Sequence, residues 1–357
     1  MKADFTQQLI QWNRDHNTRS MPWKGEKDPY KIWLSEIILQ QTRVEQGLAY
    51  YHRFIAAFPT VKHLARAPEQ KVFKLWEGLG YYTRCKNLIA TAKFISKDLK
   101  GKFPVAYEDI LALKGIGPYT AAAIASFAFQ LPYAVVDGNV FRVLSRYFGI
   151  STPIDTTEGK KVYTQLAASL LDLEAPGLYN QAIMDFGAVI CKPQQPLCSS
   201  CPQQKDCQAF QHNWIQQLPI KEKQLKKTTR WFYYFVVTIG DSVLIRKRGA
   251  KDIWENLHEF VLYESDEPLT LDKRTLGHMM KETFVKGRVS VKSISAEFKQ
   301  QLTHQTINGQ FIHIDMAPGQ PLPEGYESKK LAAIKKYAFP RFITAYLQQP
   351  ATPLQLF

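Results

Sequence analysis

Leu113-Lys114-Gly115-Ile116-Gly117-Pro118-Tyr119-Thr120, set between two segments of helical pattern, is the stretch on which the fold turns. Two glycines one residue apart let the chain turn tightly and approach another backbone closely, and the free amides at the start of the following helix suit a phosphate. That combination describes a helix-hairpin-helix; an ordinary interhelix turn has the same spacing. A dinucleotide-binding loop is excluded, because no strand precedes the glycines and the third glycine is missing.

On either side of this stretch, helical pattern dominates the first 210 residues. Asp28 can cap a helix whose first position is Pro29, with Trp33, Ile37, Ile38 and Val44 supplying an apolar face. Further helical segments run through 72–76, 88–95, 120–129, 140–148 and 182–190, while strand signals are scarce.

Four of the five cysteines, Cys191, Cys198, Cys201 and Cys207, fall in one short stretch, separated by six, two and five residues. The loop carries Pro193, Pro196 and Pro202 and is rich in Gln and Lys, so it has little apolar surface to fold on and metal ligation would hold it. Four thiolates in one loop suit zinc or an iron-sulfur cluster, and spacing alone does not choose between them. Two disulfides are disfavoured, since no signal peptide or apolar span points to an oxidising compartment. Cys85 reads as a core residue.

The chain has 357 residues, 45% of them hydrophobic, enough for two or three domains that each bury a core. Its formal net charge of +14 favours a polyanionic partner, nucleic acid first, because phosphate neutralisation supplies most non-specific affinity. A membrane surface would attract the same charge, but the sequence carries no amphipathic anchor or lipidation signal, so no membrane partner is expected. Past the cysteine loop, Lys221, Lys223, Lys226, Lys227 and Arg230 mark a basic segment that reads as a linker or as phosphate-contacting. The texture then changes. A dense aromatic and β-branched run from Trp231 to Ile239, a Gly240-Asp241 turn and Val243 to Ile245 read as a hairpin. The expected organisation is multi-domain: an all-α region over 1–210, a linker over 211–228 and an α+β domain over 229–357.

Val135-Val136-Asp137-Gly138-Asn139-Val140 leads into a helix with Val140, Val143, Leu144 and Tyr147 on one face, and Asp137 sits where an N-cap belongs. Capping in an Asp-Gly turn accounts for that aspartate without catalysis. A helix-hairpin-helix, then Val-Asp-Gly-Asn-Val-x-Arg-Val over 136–143, then cysteines spaced six, two and five apart, resembles the endonuclease III superfamily of DNA glycosylases. Within it, Trp33-Leu34-Ser35-Glu36-Ile37-Ile38-Leu39-Gln40-Gln41-Thr42-Arg43-Val44 is similar to the MutY-type adenine DNA glycosylases. The match runs in order over roughly residues 5 to 210.

The resemblance implies an enzyme that removes adenine mispaired with 8-oxoguanine or guanine in duplex DNA, leaving an abasic site, with the four cysteines holding a [4Fe-4S] cluster. It makes Glu36 the general acid, kept protonated by desolvation among Trp33, Ile37 and Ile38. Asp137 becomes the carboxylate at the anomeric carbon, its helix N-terminal position favouring ionisation, and Asn139 supports it by hydrogen bonding. Tyr119 stands where related lyases carry a Schiff-base lysine, which implies hydrolysis without β-elimination. Gln41 and Tyr81 match intercalating side chains that fill the gap when a base is flipped, and Gly115 and Gly117 match the DNA-contacting hairpin. Each of these has a plain structural alternative: a solvated glutamate, a capping aspartate, a first-turn asparagine, packing tyrosines. Two positions depart from the family, Lys24 where some members have arginine and Gln181 where a supporting glutamate often occurs.

Residues 229–357 resemble the family's Nudix-like domain, with Leu302-Thr303-His304-Gln305 akin to the loop that contacts the oxidised guanine; Thr303 and His304 are its expected contacts. No acidic Nudix helix follows 254–260, so pyrophosphohydrolase activity is not expected. The resemblance also implies a cytoplasmic, nucleoid-associated monomer. Its competitors are an endonuclease III-type pyrimidine glycosylase and lyase, disfavoured by Tyr119 and the extra domain, and a non-enzymatic iron-sulfur DNA-binding module, which would require Glu36 and Asp137 to be structural.

Overall fold

The computed structural model describes residues 2–223, 227–284 and 289–349, so Lys226 of the expected linker lies outside them. Contacts divide the chain into two units, Met1–Arg66 with Asn87–Gln224 and Ala67–Lys86 with Leu225–Phe357. In this division 67–86 groups with the C-terminal part, and 211–224 of the expected linker groups with the first unit. Gln70 and Lys74 donate to the carbonyls of Lys336 and Tyr337, and Glu77 accepts from the Phe339 N–H.

The helices are α1 (Lys2–Asp15), α2 (Pro29–Leu39), α3 (Val44–Ala57), α4 (Val61–Arg66), α5 (Glu69–Trp76), α6 (Tyr82–Lys97), α7 (Tyr107–Leu111), α8 (Pro118–Phe129), α9 (Gly138–Phe148), α10 (Thr157–Leu170), α11 (Pro176–Val189) and α12 (Gln208–Gln211). At the centre of the first unit is α8, whose run Ala121 to Ala125 is buried; small side chains all round let α2 and α11 pack against it. Asp28 caps α2 as its sequence suggests, accepting from the Tyr30 N–H at 2.9 Å with Pro29 at the first position. The apolar face attributed to that helix does not extend to Val44, which opens α3. Gln41, with φ of 60°, adopts the left-handed conformation that breaks the helix between them.

The hairpin joins α7 to α8. Gly115 has φ of 81°, and a Cβ there would fall 2.6 Å from the Asn87 side chain, so turn and close approach both demand glycine. Gly117 has neither constraint; it is the extended N-cap of α8. Thr91 Oγ1 ties the hairpin to α6 by donating to the Lys114 carbonyl at 2.8 Å. The expected linker is partly pinned to the first unit: Leu218 is buried, and Asp155 accepts from the N–H groups of Glu222 and Lys223, both at 3.0 Å.

In the second unit β1 (Thr228–Ile239) and β2 (Ser242–Lys247) form the expected hairpin, paired Thr238 with Val243. With β3 (His258–Glu259), β4 (Val261–Ser265), β5 (Val289–Ile294), β6 (Phe298–Gln301), β7 (Gln305–Met316) and β8 (Glu327–Lys330) they make a mixed sheet, β1 running parallel to β7 from Thr228/Gln305 to Thr238/Asp315. A parallel pair needs a long crossover, and α13 (Lys273–Thr283) lies in it; α14 (Arg341–Leu347) follows the sheet. Tyr233, Phe235, Val237, Ile312 and Ile314 make one core; the alternate residues Phe232, Tyr234 and Phe311 form an aromatic cluster on the other face, joined there by Phe342 of the C-terminal helix. No helix among the described residues is long and apolar enough to cross a membrane.

Candidate active site

The last turn of α2, the start of α8 and the start of α9 converge on a cavity of about 400 Å³ in the first unit, lined by Glu36, Tyr119, Asp137, Asn139, Gln181 and Met184 among others. Glu36 is 7% exposed. The Tyr119 hydroxyl donates to its Oε2 at 2.6 Å and also lies 3.6 Å from Met184 Sδ. Burial is the main cause that pushes the Glu36 carboxyl up to about 7; the Tyr119 hydrogen bond opposes it and the nearby Asp137 charge adds to it. Burial likewise holds the Tyr119 hydroxyl well above its usual range, so it remains a donor.

Asp137 caps α9. Its Oδ1 accepts from the N–H groups of Asn139 (2.9 Å) and Val140 (2.8 Å), and its Oδ2 from Asn139 Nδ2 (2.8 Å). These bonds favour the carboxylate, as its position at the helix start suggests, but burial outweighs them and raises its pKa. The shift expected from the capping bonds alone is downward, and burial turns its direction upward.

The capping group is itself held. Asn139 Oδ1 accepts from Arg142 Nη2 at 2.8 Å; the same guanidinium donates to the carbonyls of Gly187 and Cys191, each at 2.7 Å. At Gly187 a Cβ would lie 2.7 Å from that of Asn139, so glycine lets α11 approach the cap. A bonded path thus runs from the Asp137 carboxyl through Asn139 and Arg142 to the backbone of the first cysteine.

Cys191, Cys198, Cys201 and Cys207 line one small recess, which Ile190, Leu197 and Phe210 also line. Arg146 Nη1 lies 3.5 Å from Cys191 Sγ and donates to the Lys192 carbonyl at 2.7 Å. Among the described residues, no three His, Cys, Asp or Glu side chains converge as ligands of a single ion.

Asp185, fully buried on α11, gathers donors from the other side of the cavity. Its Oδ1 accepts from Arg19 Nη1 (2.7 Å) and Gln181 Nε2 (3.0 Å), and its Oδ2 from Asn17 Nδ2 (2.9 Å) and Lys24 Nζ (3.1 Å). The two departures from the family pattern, Lys24 and Gln181, therefore share one partner. Gln41 is exposed at the turn after α2 and lines the same cavity.

Tyr81, Thr303 and His304 belong to the second unit, where a separate cavity of about 430 Å³ is lined by them with Tyr82, Lys86, Trp254 and Glu255. Tyr81 is 47% exposed, with φ of 48°, and its hydroxyl is 2.5 Å from Thr303 Oγ1. Thr303 and His304 are exposed in the β6–β7 turn, and the His304 carbonyl accepts from the Thr228 N–H at 3.0 Å. Lys86 pairs with Glu255 at 2.5 Å across this cavity.

Sequence reasoning gave no role to Arg142, Arg146, Arg19 or Asp185. Asp185 carried a signal: a carboxylate within the apolar run 182–190 must be paired if buried. Arg142 lay inside the quoted motif. Arg19 sits in a loop and had none.

A helix-hairpin-helix domain that presents a proton-holding glutamate beside a capped aspartate, followed by a domain with a mixed sheet, defines the class. Residues 34–167 match the HhH-GPD superfamily of base excision DNA repair proteins, and residues 233–349 match the NUDIX domain family. The adenine DNA glycosylase of Buchnera aphidicola subsp. Baizongia pistaciae (strain Bp) is 33% identical over 308 residues, covering 85% of this chain and 84% of that protein. The adenine DNA glycosylase of Homo sapiens is 40% identical over 223 residues, covering 60% of this chain and 41% of that protein. The solved structure of a thermostable thymine-DNA glycosylase superposes with a TM-score of 0.55 at 30% identity, covering 59% of this chain and 97% of that one. A non-covalent endonuclease III–DNA complex does so with a TM-score of 0.52 at 19% identity, covering 60% and 98%, a likeness of fold alone. The chain belongs to the adenine DNA glycosylase family, and it is a monofunctional glycosylase.

Proposed function

We propose that this chain hydrolyses the N-glycosidic bond of adenine mispaired with 8-oxoguanine or guanine in duplex DNA, leaving an abasic site. One observation carries the reading: a buried glutamate held protonated to about pH 7, hydrogen-bonded by Tyr119, shares a base-sized cavity with a capped aspartate. Adenine leaves as a neutral base only if a ring nitrogen is protonated. Glu36 supplies that proton as the electron pair of the breaking bond moves into the purine. Positive charge then develops on the sugar, and Asp137 meets it, electrostatically or through a transient covalent bond, with Asn139 and Arg142 holding the carboxylate in place. Water then adds to the anomeric carbon while the Glu36 carboxylate takes its proton, which completes hydrolysis and restores the acid. Tyr119 has no amine for a Schiff base.

Four thiols around one recess suit a [4Fe-4S] cluster. Cys191, Cys198, Cys201 and Cys207 would hold it. When bound, the cluster supplies a four-point cross-link for a loop poor in apolar contacts.

The duplex is gripped through phosphates at the Gly115–Gly117 hairpin, while Gln41 and Tyr81 enter the stack as adenine flips into the cavity. Thr303 and His304 read the opposite base. The enzyme works as a monomer in the cytoplasm, on nucleoid DNA. The test is single-turnover cleavage of duplexes carrying adenine opposite 8-oxoguanine, adenine opposite guanine, and thymine opposite guanine. Adenine excision, fastest opposite 8-oxoguanine, is expected; preferential removal of thymine would sink the reading.

A further inference from the structure

Tyr81 stands in a loop whose backbone has to be held. Gly78, Gly80 and Tyr81 have φ of 90°, 80° and 48°, and the last of these carries a side chain in a conformation that is costly for any residue but glycine. Arg84 follows three residues later in the first turn of α6, where a long side chain leans back toward the helix start. Its guanidinium carbon lies 5.4 Å from the centre of the Tyr81 ring and 5.3 Å from that of Trp76, so one cation serves two aromatic faces. Arg84 Nη2 donates to the Gly80 carbonyl at 3.3 Å, an oxygen that also accepts from Trp76 Nε1 at 3.0 Å. The Arg84 N–H donates to the Tyr81 carbonyl at 2.9 Å. Backbone and ring of Tyr81 are thus both tied to one side chain.

We propose that Arg84 is a positioning residue for base flipping: stacked between Trp76 and Tyr81 and bonded to Gly80, it holds the Tyr81 ring ready to enter the base stack. The inference rests on the reading above that Tyr81 is an intercalating side chain. A ring that is 47% exposed would otherwise have to be ordered when DNA arrives, and fixing it beforehand removes that cost from the flipping step. A cation near DNA is more commonly a phosphate contact, but that role calls for a charge presented to solvent. The Arg84 guanidinium instead lies against two rings and a carbonyl, and burial disfavours its charged form. The planar fork matters as well as the charge, because an ammonium has no flat face to lay on two aromatic rings.

The test is a double-mutant cycle on the full chain, read as single-turnover excision of adenine opposite 8-oxoguanine, with duplex affinity measured at several salt concentrations. Arg84→Met and Arg84→Lys should each slow excision about tenfold, the size of a lost ring contact and a lost hydrogen bond. In a Tyr81→Ala background the same substitutions should add little, because the group that Arg84 positions is already gone. The salt dependence of binding should stay at its wild-type slope. Thermal melting reports whether Arg84→Met folds, and if it does not, Arg84→Lys decides. Equal slowing with and without Tyr81 would overturn the inference and leave the intercalation reading standing. So would a salt slope reduced by about one in Arg84→Met with full activity in Arg84→Lys, the signature of a phosphate contact. Wild-type excision by Tyr81→Ala would overturn the intercalation reading, and this inference with it.

Discussion

Glu36→Gln should remove most of the chemistry and at the same time stabilise the protein, and the structure sets the size of both effects. Burial raises the Glu36 carboxyl from 4.5 to about 7. At about 1.4 kcal/mol per pH unit, that gap amounts to roughly 3 kcal/mol, with little to discount for solvent at a group only 7% exposed. The sign follows from which state holds the proton. Below pH 4.5 both folded and unfolded chains keep it, and Glu36 adds no pH dependence. As pH rises from 4.5 to about 7 the unfolded chain ionises first, so the folded state loses stability; above pH 7 both are ionised and the loss is constant. Glutamine escapes this loss while still accepting from Tyr119. Urea unfolding of the full chain at pH 5 and pH 8, at fixed ionic strength, should therefore show the variant's advantage growing by about 1 to 3 kcal/mol at the higher pH. Its single-turnover excision should fall by about 10² to 10⁴ because an amide has no carboxylic proton to give. Parallel pH dependences for the two proteins, or near-wild-type excision by the variant, would refute the reasoning.

In wild type, excision should decline as pH rises through about 7 and Glu36 loses its proton, and a flat profile from pH 6 to 8.5 would reject Glu36 as the acid. Tyr119→Phe removes the hydrogen bond that lowers the Glu36 pKa, so this alkaline limb should move to higher pH; a shift downward would contradict the geometry. Arg142→Gln breaks the path from Asn139 to the carbonyls of Gly187 and Cys191 and should destabilise by about 2 to 4 kcal/mol while slowing excision, whereas an unchanged melt would show the guanidinium dispensable. Protein purified without oxygen should be brown with about four irons per chain, and Cys198→Ser should lose iron or fold poorly; colourless, fully zinc-loaded protein would displace the cluster. Thr303→Ala combined with His304→Ala should narrow the preference for 8-oxoguanine over guanine by about 1 to 3 kcal/mol, and equal losses on both duplexes would assign the turn to general affinity instead.

What could be read from the sequence was local. Asp28-Pro29 specifies a helix start through its own backbone; Gly115 specifies a left-handed turn; the Trp231–Ile245 stretch specifies a hairpin by aromatic and β-branched runs on either side of Gly240-Asp241. Each needs only a few neighbours, and each is found where its pattern lies. Features set by distant partners were out of reach. Val44 continues the helical period of α2, yet nothing in that period reveals that Gln41 turns left-handed first. Residues 67–86 look like any amphipathic helical stretch, and only their bonds to the backbone of 336–339 place them with the sheet-bearing unit. The sign at Asp137 failed for the same reason. Its capping bonds are written in its own turn, but the burial that outweighs them is a property of the folded site and not of the turn.

The identity of residue 119 binds these observations together. A lysine there, in place of the tyrosine hydroxyl now 2.6 Å from Glu36 Oε2, would put a cation against the carboxyl and pull its pKa down, discharging the proton that a purine leaving group requires. Tyrosine donates a hydrogen bond that lowers the Glu36 pKa only partly, so burial still prevails and the acid survives at neutral pH. On the proposed mechanism, tyrosine at this contact withholds a Schiff-base amine and leaves the Glu36 proton in place. The same logic explains why the compensating positive charges, Arg142, Arg19 and Lys24, are bonded to carbonyls, to Asn139 and to Asp185 rather than to Glu36. Each secures the cavity through a partner other than Glu36, which takes its hydrogen bond from the uncharged Tyr119 hydroxyl.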